Sequence, residues 1–469
     1  MKRKTIKFGM LLSALLIVVS CNDEYLDVDS RASIDAADIG EAVPPEQLVN
    51  GIYGMLTDWD FSFSYLGITE IISDNADKGS SASDTGTDKQ QLDALEHTTT
   101  GPSIRSMWEH WYKSIGRASI SINYSETYDI SDQSYRERLI GEAKFLRALN
   151  YFWLVRSFGD VPLQHVDYVI RQPKADVYAF IEQDLLDAID MLPNKSEYAD
   201  SEIGRATKGA AQALLAKVYM YEESWQDAYD MATAVITGGE YDLHSNYEEL
   251  WRASQENGIE SIFEVQGRGE SIAHGVQQYS QTQGARGTGG WGWGFNTPSQ
   301  NLLNAFNAEG DVIRRDATII FAGETLWDGR EVSASTENPM YNEKAYSSAN
   351  AGAGDGDKNV RILRFAEVLL IQAEAALHIG ADAATPLNRV RNRVNLASIN
   401  SPTMNDIWKE RRLELAFEHD RWFDLNRTGQ AESAMAADGK TFIVGKHELF
   451  PIPDLQINQT PEMTQNPGW

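Results

Sequence analysis

Twice along this chain an alanine-rich helix is followed, after a short break, by a second helix, and this pairing constrains the fold more than any other feature. Ala206 to Tyr221 carries Ala210, Ala211, Ala213 and Ala216 and precedes Trp225 to Ile236. Ile362 to His378 carries Ala366, Ala373, Ala375 and Ala376 and precedes, past Gly380, Ala383 to Val394. Small side chains let helix axes approach closely, and each pair can bury its apolar face only against its neighbours, as in tetratricopeptide-like stacks. Further helical periodicity runs through Leu48, Ile52, Met55 and Leu56 after Pro44-Pro45, and through Ile104 to Tyr124. It continues in Arg138 to Phe158, stopped by Gly159 and Pro162, in Asp176 to Leu192, stopped by Pro193, and in about Asp406 to Arg427. Between the pairs the composition turns to Gly, Ser and Asn, with strand-like runs such as Ile259 to Val265. The fold expected is mainly α, a tetratricopeptide-like helix-pair superhelix with a large loop-rich insertion carrying short strands.

The first twenty residues read as a signal peptide. Lys2, Arg3, Lys4 and Lys7 precede an apolar run from Met10 to Val19, too short to span a bilayer. Val18-Val19-Ser20 leads into Cys21, the sole cysteine, a pattern that resembles a lipobox with Cys21 as the lipid attachment site. An ordinary secretory signal with a coincidental cysteine, or a short N-terminal anchor helix, is the alternative. Asp23, Glu24, Asp27 and Asp29 follow closely and resemble a surface-export tag, or equally a solvated acidic tether. The formal net charge of −28 deepens by four to −32 once residues 1–20 and their four cations are removed. Such a balance argues against nucleic acid and anionic lipid as ligands. The organisation expected is a signal peptide over 1–20, a helical part over 21–240, a variable loop-rich insertion over 241–358 and C-terminal helices with a tail over 359–469.

Four stretches resemble the SusD/RagB family of outer-membrane nutrient-uptake lipoproteins. They are Glu142-Ala-Lys-Phe-Leu-Arg-Ala-Leu-Asn-Tyr-Phe-Trp-Leu-Val running into Phe158-Gly-Asp-Val-Pro-Leu163; Arg361 to Ala375 with Leu387 to Arg393; Glu410-Arg-Arg-Leu-Glu-Leu through Glu418, Arg421, Asp424 and Arg427; and Phe450-Pro-Ile-Pro453 with Gln465-Asn-Pro-Gly-Trp469. The family more often ends in Tyr. The resemblance implies a noncatalytic cell-surface protein, lipid-anchored to the outer membrane. Such a protein captures oligosaccharide, or in some members peptide, for a SusC-like TonB-dependent transporter. No cofactor is implied.

Within this reading, Gly287-Thr-Gly-Gly-Trp291-Gly-Trp293-Gly-Phe295 is the first candidate for ligand contact, because tryptophans flanked by glycine can present a flat face to a sugar ring. On an extended strand 291, 293 and 295 would share one face. The bland alternative is packing before the helix start at Pro298-Ser299. The family places a ligand-bonding acid near Ser73-Asp74-Asn75-Ala76-Asp77-Lys78, which nominates Asp74, with Asp77 and Lys89 as neighbours to test. No tryptophan lies between Lys78 and Gly101, a departure from the best-known starch-binding pattern. A hydrolase reading rests on Glu410 and Glu414, since carboxylates at i, i+4 lie about 5–6 Å apart, near the spacing of retaining glycosidases. The favoured alternative is a buried ion network neutralised by Arg411, Arg412 and Arg421. Asp355-Gly-Asp357-Lys-Asn359 imitates a calcium loop but lacks Gly at its sixth position and Glu at its twelfth. The eight histidines show no ligand spacing, and no metal is expected.

Overall fold

A computed structural model describes residues 43–81, 83–84, 86–164, 170–269, 275–349 and 356–469. Cys21, the acidic residues after it and Asp355 lie outside the described residues. The first half is helical: α1 Pro45–Leu56, α2 Trp59–Leu66, α3 Thr87–Asp93, α4 Pro102–Thr127, α5 Gln133–Phe158, α6 Lys174–Met191, α7 Lys208–Tyr221 and α8 Trp225–Thr237. Then come α9 Tyr247–Leu250, α10 Tyr279–Gln283, α11 Gln300–Glu309 and α12 Val312–Thr318. The C-terminal part holds α13 Phe365–Ile379, α14 Ala384–Arg393, α15 Met404–Glu414, α16 Arg421–Arg427, α17 Ala431–Ala437 and α18 Asp454–Gln459. Six short strands, β1 Ala76–Gly79, β2 Ser261–Val265, β3 Phe295–Pro298, β4 Ile319–Phe321, β5 Met340–Asn342 and β6 Val360–Arg364, form three antiparallel ribbons, β1–β3, β2–β6 and β4–β5.

Consecutive helices pack on one another from α4 through α8, then α8 on α13 and α13 on α14. This is the mainly helical superhelix expected. The alanines named above sit where two helices meet: Ala210, Ala211, Ala213 and Ala216 in α7, and Ala366, Ala373, Ala375 and Ala376 in α13, are all buried. α5 starts five residues earlier than the periodicity suggests, because the Asp132 carboxylate accepts from the Ser134 and Tyr135 amides as N-cap. The run predicted as helix from Ile362 opens instead as strand β6, paired with β2.

The four family-like stretches are explained by what they bind. The Asn466 side-chain amide donates to the carbonyls of both Phe158 and Phe450, and Gln465 brackets Ile452 through its N–H and C=O. The tail thereby fastens the end of α5 to the Phe-Pro-Ile-Pro segment. The arginines of the second stretch meet the glutamates of the third. Glu414 pairs with Arg314, Arg364 and Arg393, and Glu410 with Arg314 and Arg391. Arg364 also holds Glu260 and Glu418.

That network corrects two expectations. The partners of Glu410 and Glu414 come from α12, β6 and α14, whereas Arg411 goes to Asp424, and Arg412 and Arg421 go to Asp74. Asp406 to Arg427 is also not one helix. Phe417 and His419 adopt left-handed backbone (φ 63° and 70°) between α15 and α16, so Arg421 does not continue the helix that carries Glu410 and Glu414. Both glutamates are fully buried. Buried charges hold only when paired, and each here is saturated by guanidinium. There is no room beside them for a sugar ring.

Candidate functional site

The β1–β3 ribbon brings the two sequence-nominated segments together across more than two hundred residues, pairing Asp77 with Thr297 and Gly79 with Phe295. Two glycines make the approach possible. Gly79 (φ 67°) and Gly294 (φ 72°) are both left-handed, and a Cβ on Gly79 would lie 2.3 Å from the Gly294 carbonyl. Arg286 completes the junction by donating to the Ser80 hydroxyl and pairing with Asp84.

In front of this ribbon lies a cleft of about 810 Å³, lined by Asp77, Ser80, Asp84, Gln90, Gln91, Asp93, Thr297, Gln300, Glu337 and Asn338 among others. A second hollow of about 620 Å³ shares Asp77, Gln90 and Asp93 with it and extends to Lys440, Thr441 and Lys446. Drug-sized ligands usually enter mostly apolar pockets. This lining is instead dense in carboxylate, amide and hydroxyl groups. It can exchange many hydrogen bonds with a polyhydroxylated molecule, while Pro298, Pro339 and Met340 add apolar surface beside them.

Asp77 sits at the junction of the two hollows. Its side chain is exposed to the open cleft, yet its carboxyl is pushed up to about 6 by partial dehydration and by Asp93, with Lys440 opposing and Asp438 adding. Lys440 is held between Asp93 (2.8 Å) and Asp438 (3.1 Å).

Asp74 and Lys89, expected to face ligand, do not reach the cleft. Asp74 is 1% exposed, and its two oxygens take a bidentate pair of bonds from Arg421 (2.7 and 2.8 Å) and a contact from Arg412 (3.1 Å). Burial alone would raise its pKa, but Arg421 and then Arg412 hold it at about 2. Lys89 is 2% exposed, bonded to Asp88 and Ser103 and seated 4.0 Å over the Phe63 ring. Burial pulls its pKa down while Asp88 works against that. Both residues belong to the scaffold beneath β1.

The glycine-rich loop is not extended, so 291, 293 and 295 do not share one face. The Trp291 and Gly292 amides both donate to the Ala285 carbonyl, and Trp293 donates to Gln281, which curls the chain. Trp293 then packs edge-on to Trp59 of α2 (5.5 Å), and Phe295 edge-on to Phe63 (5.1 Å). Trp291 turns the other way, toward Tyr346 (5.6 Å), with the Arg330 guanidinium 4.7 Å from its ring. Both tryptophans are half-buried.

The most exposed aromatic here was not anticipated. Trp327 is 47% exposed, stands edge-on to Tyr346 (6.1 Å) and carries Arg252 4.0 Å from its ring centroid. It occupies the tip of a tight turn in which Gly329 donates to Leu326 and Leu326 to Arg330. The Trp-Asp-Gly-Arg sequence carries that turn signal. Trp291 and Trp327 thus both meet the buried Tyr346 edge-on, and Trp327 is the one left exposed. The loop that walls the cleft at Glu337 and Asn338 is tied to the same tryptophan loop, through the Glu337 amide to Arg286 and a bridge between Gly287 and Thr336.

A superhelix of helix pairs bearing a loop-built polar cleft matches one family in particular. The profile described as the SusD family matches residues 328–469, and one described as starch-binding associating with outer membrane matches 24–220. The chain belongs to the SusD/RagB family. It is 27% identical to SusD-like protein P2 of Formosa agariphila, over the whole of both chains. It is also 27% identical to a SusD-like protein of Bacteroides ovatus, covering 89% of this chain and 82% of that one. Among solved structures, a laminarin-binding SusD-like protein superimposes with a TM-score of 0.77 at 29% identity, covering 91% of this chain and 99% of that one. A surface glycan-binding protein A from Bacteroides fluxus gives 0.78 at 23% identity, a likeness of fold.

Proposed function

We propose that this protein captures neutral oligosaccharide at the cell surface and passes it to a SusC-like TonB-dependent transporter, without catalysis. The observation that carries the reading is the cleft at Asp77, Gln90 and Asp93, whose lining suits sugar hydroxyls. The exposed Trp327 ring offers an apolar surface on which a sugar C–H face can stack. The profile that describes starch binding with outer-membrane association, and the laminarin-binding relative at 29% identity, support a glucan as cargo. Lipid attachment at Cys21 would hold the protein at the outer membrane. Saturation of Glu410 and Glu414 by arginines supports a noncatalytic role, since it removes the carboxylate pair on which a hydrolase reading rested.

Peptide capture is the competing cargo within the same family, since Asp77, Asp84, Asp93 and Glu337 give the cleft acidic character. Affinity electrophoresis of the soluble chain (residues 22–469) against laminarin, starch and other polysaccharides, with basic peptides tested by calorimetry, separates the two. Retardation by a glucan is expected; binding of peptides alone would replace the cargo.

A further inference from the structure

We infer that Asp58, Asp60 and His110 form a binding site for a divalent transition metal of the zinc class, at the turn between α1 and α2. One ligand atom from each residue lies within 4.8 Å of the other two, the sole such grouping among the described residues. An acidic pair at a helix start is common and means little alone. The histidine is what distinguishes this one. His110 projects from α4 and is 5% exposed, yet its Nε2 has no hydrogen-bond partner. A buried imidazole nitrogen left without a hydrogen-bond partner is available as a metal ligand.

A simple ion pair accounts for the cluster less well, because neither carboxylate lies within bonding distance of the imidazole, which would otherwise be the cheapest way to satisfy a buried ring nitrogen. The spacing fits a bridging ion instead. Ligand atoms on a tetrahedral zinc at about 2.1 Å stand about 3.4 Å apart, a closure within reach of a rotamer change at the exposed Asp58. Each carboxylate is already positioned by one oxygen. Asp58 Oδ1 accepts from the Asp60 amide (3.2 Å) and Asp60 Oδ1 from the Ser64 hydroxyl (2.8 Å), leaving the other oxygen of each for a metal. One imidazole nitrogen with two carboxylate oxygens suits zinc and its neighbours, whereas calcium and magnesium prefer six or more oxygens. The exposed side leaves a coordination position for water. Such an ion would fasten the first turn of α2, which carries Trp59 against Trp293, to α4.

The test uses the soluble chain, stripped with chelator and titrated with zinc chloride by calorimetry and thermal melting. One equivalent should bind, and a hundredfold excess over Kd should raise Tm by about 3 °C. The double variant Asp58→Asn/Asp60→Asn, altered only at accessible side chains, should bind at least about 100-fold more weakly while its zinc-free Tm stays within a degree of the parent. His110→Gln should lose the site as well, with the surface double variant deciding if that protein does not fold. Absence of zinc binding, zinc binding retained by the Asn/Asn variant, or calcium bound as tightly as zinc would each overturn the assignment.

Discussion

Asp74→Asn separates scaffold from ligand contact at the residue that family resemblance most favours. The substitution keeps the side chain's shape but removes the charge that two buried guanidiniums share. Removing one partner of a buried ion pair costs about 3–5 kcal/mol, because the remaining charge is stranded. Lowering of the carboxyl from its ordinary value to about 2 corresponds by linkage to about 2 kcal/mol. The linkage figure is smaller because it compares charged with neutral Asp74 and leaves out the disturbed arginines. For a compact unit spanning 44–469, the unfolding entropy at the midpoint is about 0.9 kcal/mol/K. Tm should therefore fall by about 3–6 °C at pH 7. A depressed carboxyl stabilises above its unfolded pKa and loses that contribution as pH falls through its folded one. The gap between parent and variant should thus close between about pH 4 and pH 2. Glycan affinity at 20 °C should stay within about twofold of the parent (below ~0.5 kcal/mol). An unchanged Tm together with collapsed affinity would return Asp74 to the ligand site and refute the reasoning.

Three further outcomes are expected. Asp77 is raised to about 6, so glycan affinity should rise as pH increases through 6 and its carboxylate becomes an acceptor; Asp77→Asn should flatten that profile, and an identical slope in the variant would exclude the residue. Because a raised acid favours the protonated folded state, the parent should lose stability relative to the variant as pH rises from about 4 to 6 and keep that deficit above 6, as read in melts of the two proteins. Trp327→Ala should weaken glycan binding about tenfold (~1.4 kcal/mol) with Tm unchanged, whereas equal affinity would exclude Trp327 from the ligand site. Glu414→Gln strands three arginines and should cost about 3–5 kcal/mol in denaturant unfolding. Neither it nor the parent should release reducing sugar, and release by the parent alone would revive a hydrolase.

The scaffold was legible because its signals are local and periodic. Alanine stripes, the Gly159 stop and the Gln465–Trp469 tail sit in a short window each and mean the same thing in any context. The site was only half legible. Segment 73–78 and the Gly287–Phe295 loop were both nominated, and β1–β3 joins them. Which side chain of each segment faces solvent depends on partners far away in sequence. Asp74 and Asp77 look alike in a polar loop, yet Arg412 and Arg421, more than three hundred residues on, bury the first and leave the second open. Trp291 and Trp293 diverge because amides of their loop bond back to Gln281 and Ala285, a curl that alternation along a strand does not foresee. Trp327 was passed over because a lone tryptophan in a turn has no periodic pattern. The missing signal was the Asp-Gly pair that makes the turn tight.

The central claim, sugar capture at the cleft, is tested most directly by calorimetry of the soluble chain with laminarin oligosaccharides, repeated on Gln90→Ala/Trp327→Ala. Gln90 and Trp327 are both exposed, so the double variant should fold as the parent does. Saturable binding by the parent and its loss in the double variant is the predicted result. Equal binding by both proteins, or no glycan bound while basic peptides are, would contradict it.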